Sequence, residues 1–491
     1  MARLFIVGGS DAGISAAMRA RELAPEWQVT VAVADRYPNF SICGIPYFLS
    51  KEVPEADNLA HRKAADIRAT GVELLLDHRV ERIDPSARRV VARAAAGATS
   101  EHGYDKLVLG TGASSVRPPI AGLDLPGVFL LRWMGDTFAF EDYLTSRSPE
   151  HVVIVGGGYI GLEMAEALAH RGIRVSIIEM TRSVMTTVDS DLGQMISAEL
   201  QRNGVRVLTG QAISSIAAEG ERLRIEGDND FSYAADMILV AVGARPETEI
   251  GRAAGVALGC KGALKVNRRM ETNLPDIFAA GDCVETWHRI TRSNAYLPLG
   301  TTSHKQGRIA GENAVGGDRE FEGSLGTQWV RLFGYVVART GFHDRDAANA
   351  GFDPLSVDSV VWDHKVYYPG AKEMTIRITG DRATRRLLGA QIVGHYGTEV
   401  SKRIDILAAA IHHDMSVEQV NDLDLSYTPP LSSPWDPVQI AAQAWMARSE
   451  AARGTAPFQL GYGHISRTTR SIPPPLVGGG EGAGSRAGRR V

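Results

Sequence analysis

Residues 151–180 read HVVIVGGGYIGLEMAEALAHRGIRVSIIEM. A short apolar run meets a glycine turn, an amphipathic stretch follows, and a second apolar run closes the segment. That is the grammar of strand, tight turn, helix and parallel strand. The turn, Gly156-Gly157-Gly158-Tyr159-Ile160-Gly161, matches G-x-G-x-x-G in full. Gly156 permits the sharp turn, Gly158 lets a pyrophosphate approach the backbone, and Gly161 lets the helix pack on its strand. Glu179 ends the second strand, where a carboxylate takes a ribose hydroxyl pair and repels a 2′-phosphate. The segment is therefore predicted to bind NADH. Arg182, three residues on, leaves NADPH open.

The same grammar occurs near the start. RLFIVG (3–8) is a strand, Gly8-Gly9-Ser10-Asp11-Ala12-Gly13 a turn with Ser10 at the middle glycine position, and SAAMRARELA a helix. QVTVAVADR then ends on Asp35, again placed for a ribose. Two copies about 150 residues apart predict two Rossmann-like dinucleotide-binding domains, an α/β architecture. TNLPDIFAAGDCVE, with Asp282, looks like a return to the first domain. From about 325 the pattern changes to several strands and one long helix, VSKRIDILAAAIHHDMSVEQV, which suits a separate α+β domain. The expected boundaries are 1–118 with 255–322, 119–254 and 323–449. The Gly/Pro/Arg-rich residues 450–491 are expected to be a disordered tail.

A formal net charge of -4 gives no basic excess for a nucleic-acid partner. No apolar run approaches the ~20 residues of a membrane helix, and the N-terminus lacks the pattern of a signal peptide. The three cysteines, Cys43, Cys260 and Cys283, cannot build a disulfide framework, so a reducing cytoplasm is the expected compartment. No metal-ligand spacing is present: His412 and His413 are adjacent on a helix and face about 100° apart.

Five motifs in order carry a resemblance. They are the two glycine turns, LVLGTGA (Thr111, Gly112), ILVAVGARP (Gly243) and the Asp282 motif. Together they resemble the FAD-dependent pyridine nucleotide-disulfide oxidoreductases over roughly residues 3–447. The resemblance implies a glutathione-reductase-like fold with a C-terminal dimerisation domain. It also implies FAD in the first site, NAD(P)H in the second, and a homodimer. By the same resemblance Gly8, Ser10, Asp11, Ala12, Gly13, Asp35, Arg36, Ser41, Val80, Thr111, Gly112, Arg132, Asp282, Leu299 and Thr302 hold FAD. Gly156, Gly158, Tyr159, Ile160, Gly161, Glu163, Glu179 and Gly243 hold the nicotinamide dinucleotide.

PNFSICGIPYFLS contains Cys43. Ordinary disulfide reductases of this family carry Cys-x4-Cys here, and the second position is Phe48. The chain thus resembles the single-cysteine branch: coenzyme A disulfide reductases, persulfide and polysulfide reductases, NADH oxidases and NADH peroxidases. Pro46 is expected to open a helix whose N-terminus lowers the Cys43 thiol pKa. The resulting thiolate would attack a disulfide or persulfide. Cys260 and Cys283 read as packing residues.

Asp11 stands where the oxidases and peroxidases carry His, which counts against both. It could donate a proton, disfavour an anion, or cap its own helix. YYPG (Tyr367, Tyr368) and DLDLSYTPP (Tyr427) resemble segments from which a partner subunit's phenol reaches the cysteine. Arg19, Arg21, Arg62, Lys63 and Arg68 fall where coenzyme A disulfide reductases bind their nucleotide. Asn39 and Ile42 depart from the Ser and Asn usual before the cysteine, so coenzyme A is one candidate substrate among low-molecular-weight disulfides and persulfides. An NADH oxidase or peroxidase, and a flavin-bearing redox sensor, are the alternatives.

Overall fold

The computed structural model describes residues 1–452. Its first sheet has five parallel strands, in the order 277–279, 106–109, 3–7, 28–32 and 72–75. The central strand Arg3–Val7 is buried along all but its first residue, as expected for a strand covered on both faces. The second sheet is also parallel, in the order 206–209, 174–179, 151–155, 237–240 and 128–129. Each is followed by a three-stranded antiparallel sheet, 78–103 and 213–235 respectively. Two short strands, Ala113–Ser115 and Ala244–Pro246, pair where the chain crosses between the two nucleotide domains. The third domain is a five-stranded antiparallel sheet in the order 328–332, 335–341, 387–395, 373–381 and 354–362.

Strand Ile277–Ala279 lies beside Lys106–Leu109, 170 residues earlier in the chain. The helix that follows, Gly300–Ala314, crosses the first helix, Asp11–Leu23, at backbone contact. A Cβ on Gly307 would lie 2.2 Å from the Ala12 carbonyl oxygen, and one on Gly311 2.2 Å from that of Ala16. The first helix meets it with a face of buried small residues, Ala12, Gly13, Ala16, Ala17 and Ala20. This small-on-small crossing brings His304 beside the first glycine turn.

Three details differ from the sequence reading. The long helix expected from Val400 is two: Val400–His412 and Val417–Asn421. Asp414 takes a left-handed conformation between them, and Ser416 starts the second helix by accepting the Gln419 N–H. A helix not foreseen, Pro437–Ala452, buries Trp445 against the third sheet, its indole donating to the Leu355 carbonyl. Glu450, Ala451 and Ala452 are therefore helical rather than tail. The remainder of the expected tail, 453–491, lies outside the described residues. No helix among the described residues is long and apolar enough to cross a membrane.

Candidate active site

Both glycine turns open helices whose amino ends no side chain caps: Ser10 before Asp11–Leu23, and Gly158 before Tyr159–His170. Their first-turn amides are thus available to a pyrophosphate. In both turns the first glycine adopts positive φ, 108° at Gly8 and 110° at Gly156. A Cβ on Gly158 would meet nothing within 4 Å, so there is room for a dinucleotide at that turn. Asp35 accepts the Tyr37 N–H through one oxygen and keeps the other open, and burial pushes its carboxyl up. Glu179 is more engaged. It accepts from the Gly157 N–H at 2.7 Å and from the Thr181 N–H and hydroxyl, so it shapes the turn it faces.

Of the remaining sequence-selected groups of the first site, Asp282 is met directly by Arg132. The Asp282 carboxylate pairs with it at 2.6 Å and accepts from Ser303 at 3.0 Å. Gly281 abuts Ala12, Thr111 donates to the Glu247 carbonyl, and Gly112 and Gly243 supply positive φ at the crossover. Thr302 is buried on the Gly300–Ala314 helix, which Leu299 precedes. Ser41 donates its N–H to Leu59, and Val80 lies in strand His78–Asp84. Arg36 is exposed and pairs with Asp77. These residues fit an FAD on the first domain and a nicotinamide dinucleotide on the second.

Cys43 sits in a single 3-10 turn, Ile42–Gly44, just before the five-residue helix Ile45–Leu49. Phe40, Ile45, Phe48 and Leu49 anchor this segment. They join one apolar cluster with the second nucleotide domain and with Val330, Leu332 and Val337 of the third. Cys43 itself is exposed. Protein crowds its sulfur nonetheless, and this partial desolvation pushes the thiol pKa up. The carboxylates of Glu163, Asp11 and Asp282 push it the same way, and Arg132 opposes them. The expected lowering by a helix N-terminus does not occur. A one-turn helix has little dipole, and desolvation together with three carboxylates outweighs it.

Glu163, on the second glycine-turn helix, is pushed up to about 7 by burial and by Glu166. Tyr159 is raised to about 12 by burial, and Ile160 is exposed beside it. Asp11 does not cap its helix: its carboxylate lies 3.3 Å from His304, with His61 nearby. A cleft of about 560 Å3 opens alongside, lined by Ser15, Met18, Glu22, His61, Arg62, His304, Lys305 and Arg308. His304, Lys305 and Arg308 were not selected from sequence, because only the helix crossing brings residues 300–310 to the first turn; His61 was not selected either, and its backbone N–H is tied to the Asn39 carbonyl.

Two arginines expected to bind substrate are engaged by the protein. Arg19 pairs with Glu22 and Glu312, and Arg21 donates to the carbonyls of Thr70, Pro25 and Trp27. Lys63 pairs with Asp57 on the surface. Arg62 reaches Asn39, which is buried at positive φ and bonded to Gly9 and His61 through its backbone. Tyr367 and Tyr427 are exposed and hydrogen-bonded to each other, whereas Tyr368 packs on His364. Cys260 donates to the Asn294 carbonyl, and Cys283 is fully buried.

The pyridine nucleotide-disulphide oxidoreductase family matches residues 2–307, and its dimerisation domain matches residues 327–437. An NAD(P)H sulfur oxidoreductase (CoA-dependent) of Pyrococcus furiosus is 34% identical over 443 residues, 90% of this chain and 98% of that protein. A coenzyme A disulfide reductase of Staphylococcus haemolyticus is 30% identical over 90% of this chain and 98% of its own length. Among solved structures, an NAD-dependent persulfide reductase from A. fulgidus superposes with a TM-score of 0.88 at 33% identity. That match covers 91% of this chain and 84% of the other. With both nucleotide folds, the exposed thiol and the third domain in place, the chain is a member of the pyridine nucleotide-disulphide oxidoreductase family, whose cofactors are FAD and NAD(P)H.

Proposed function

We propose that this protein is a homodimeric NAD(P)H-dependent reductase of a low-molecular-weight disulfide or persulfide, acting through Cys43. The observation that carries this reading is one exposed thiol on which charged groups of both glycine-turn domains act, Asp11 and Asp282 from the first and Glu163 and Arg132 from the second. Bound FAD would supply two electrons, taken as hydride from NAD(P)H.

The residues of the chain do the rest. The Cys43 thiolate attacks one sulfur of R–S–S–R, forming Cys43–S–S–R and releasing RS⁻. Two electrons then cleave the Cys43–S–S–R bond, returning the Cys43 thiolate and a second RS⁻. Protonation of both products balances NAD(P)H + H⁺ + RSSR against NAD(P)⁺ + 2 RSH. Arg132 favours the thiolate, and Glu163, whose pKa is raised, can hold a proton near the sulfur. The leaving thiolate would receive a proton from the Tyr367–Tyr427 pair of a partner subunit.

The cleft beside Asp11 favours a substrate with an anionic part. Arg62, Lys305 and Arg308 face it, although Glu22 holds Arg308 in part. Coenzyme A disulfide, the substrate class in the name of one relative, has that character. Asp11 in place of His argues for the sulfur substrate over oxygen or peroxide. A reducing cytoplasm suits three free thiols.

Anaerobic titration with NADH, followed by visible absorbance, tests the reading. Wild type is expected to take up more electrons than Cys43→Ser and to show a long-wavelength band that the variant lacks. Identical titrations of the two proteins would remove Cys43 from the reaction.

A further inference from the structure

We propose that Asp11, His61 and His304 form a binding site for one divalent transition cation, at the edge of the cleft that His61 and His304 line. The three residues come from separate elements: the first turn of helix Asp11–Leu23, the loop after residue 59, and helix Gly300–Ala314. Each offers one ligand atom, and these atoms all lie within 4.8 Å of one another.

Two further observations point to a cation. The first is that Asp11 Oδ1 is buried and has no hydrogen-bond partner, although His304 Nε2 is only 3.3 Å away. The two atoms are close, but they are not aligned as donor and acceptor. The second is that His304 Nδ1 lies 3.0 Å from the Ser15 hydroxyl. In the tautomer whose Nδ1–H donates to the Ser15 hydroxyl, the Nε2 lone pair is free to ligate on the side of the Asp11 carboxylate. An outer hydrogen bond that fixes the tautomer of a ligating histidine is the usual support of such a site.

Two imidazoles and one carboxylate suit Zn2+, Co2+ or Ni2+ better than Mg2+ or Ca2+, which prefer oxygen alone. Metal–ligand bonds of about 2.0–2.2 Å imply ligand–ligand edges of about 3.4 Å in a tetrahedron, so modest rotation of the exposed His61 closes the site. Three protein ligands leave a fourth position for water or a sulfur ligand. Asp11 acts on Cys43 through its charge, so an ion here would oppose the carboxylates that hold the thiol up. Among the described residues the other carboxylate–histidine group, Glu52, Glu166 and His170, is already met by Arg331, which pairs with both glutamates.

The experiment is equilibrium dialysis of the untagged, FAD-loaded, full-length protein against Zn2+, with metal content read by atomic emission. One Zn2+ per chain is expected in wild type and in Cys43→Ser. His61→Gln and His304→Gln should each weaken binding by at least about tenfold, since even the outer partners of metal ligands are worth 10–100-fold. His61 is exposed, so its substitution tests the site with the fold intact. The proposal is overturned if wild type retains no stoichiometric Zn2+, if both histidine variants bind like wild type, or if only Cys43→Ser loses the ion. Metal content is read without turnover, so failure here leaves the disulfide chemistry standing.

Discussion

Around the Cys43 sulfur the balance of charge is unfavourable to a thiolate, with three carboxylates against one guanidinium. Replacing the sulfur, in Cys43→Ser, should lower NADH-dependent disulfide turnover by about 10³-fold or more, because a nucleophile has no substitute in the site. Glu163 allows a finer test. Its pKa is raised from 4.5 to about 7, so the folded state holds a proton that the unfolded chain gives up. Stability should therefore fall as pH rises from about 4.5 to about 7 and stay reduced above it, by about 3 kcal/mol at full ionisation. Urea unfolding of wild type and Glu163→Gln at pH 5 and pH 8 checks this: the variant should gain at pH 8 and differ little at pH 5. The same variant removes a carboxylate acting on Cys43, so the pH midpoint of iodoacetamide alkylation should move down. An unchanged midpoint would mean that Glu163 does not act on the sulfur. Cys43 was legible because a motif surrounds it. Its raised pKa was not, because Glu163 and Asp282 reach it only through the fold.

Among the elements, the crossing of helices Asp11–Leu23 and Gly300–Ala314 decides the geometry of the first site. A single methyl at Gly307 collides with backbone rather than with a flexible side chain. Gly307→Ala should cost about 1–3 kcal/mol, as overpacking does, and should loosen FAD; thermal melting and flavin retention on a desalting column report the two effects. The Cys43 segment is held from the other side by Phe48, which is 7% exposed. Phe48→Ala should cost about 3–5 kcal/mol, with a larger effect on turnover than on FAD content, measured on the purified variant. The glycine turns were readable because each glycine has a stereochemical task within six residues. The break at Asp414 was not, because the apolar spacing of Val400–Val420 continues through it and only Ser416 with Gln419 marks the restart. Helix Pro437–Ala452 was missed because its apolar face is broken by polar residues that are nonetheless buried, Gln439, Gln443 and Ser449.

For the whole molecule, the exposed Tyr367–Tyr427 pair carries a prediction about subunits. If each active site takes its phenol from the partner, a heterodimer of Cys43→Ser with Tyr427→Phe contains one site with both groups intact. Mixed dimers should then recover activity that neither homodimer has, measured after co-expression with two affinity tags. No recovery would place the phenol and the thiol on one chain. The order of the first sheet has a different consequence. Its edge strand Ile277–Ala279 and its covering helix Gly300–Ala314 are synthesised only after the entire second nucleotide domain. On the ribosome, residues 1–118 therefore wait with the Lys106–Leu109 strand unpaired on one side and the small-residue face of Asp11–Leu23 open. An unpaired strand is a template for wrong partners. A nascent chain arrested near residue 270 should recruit holdase chaperones, whereas one arrested beyond residue 350 should release them.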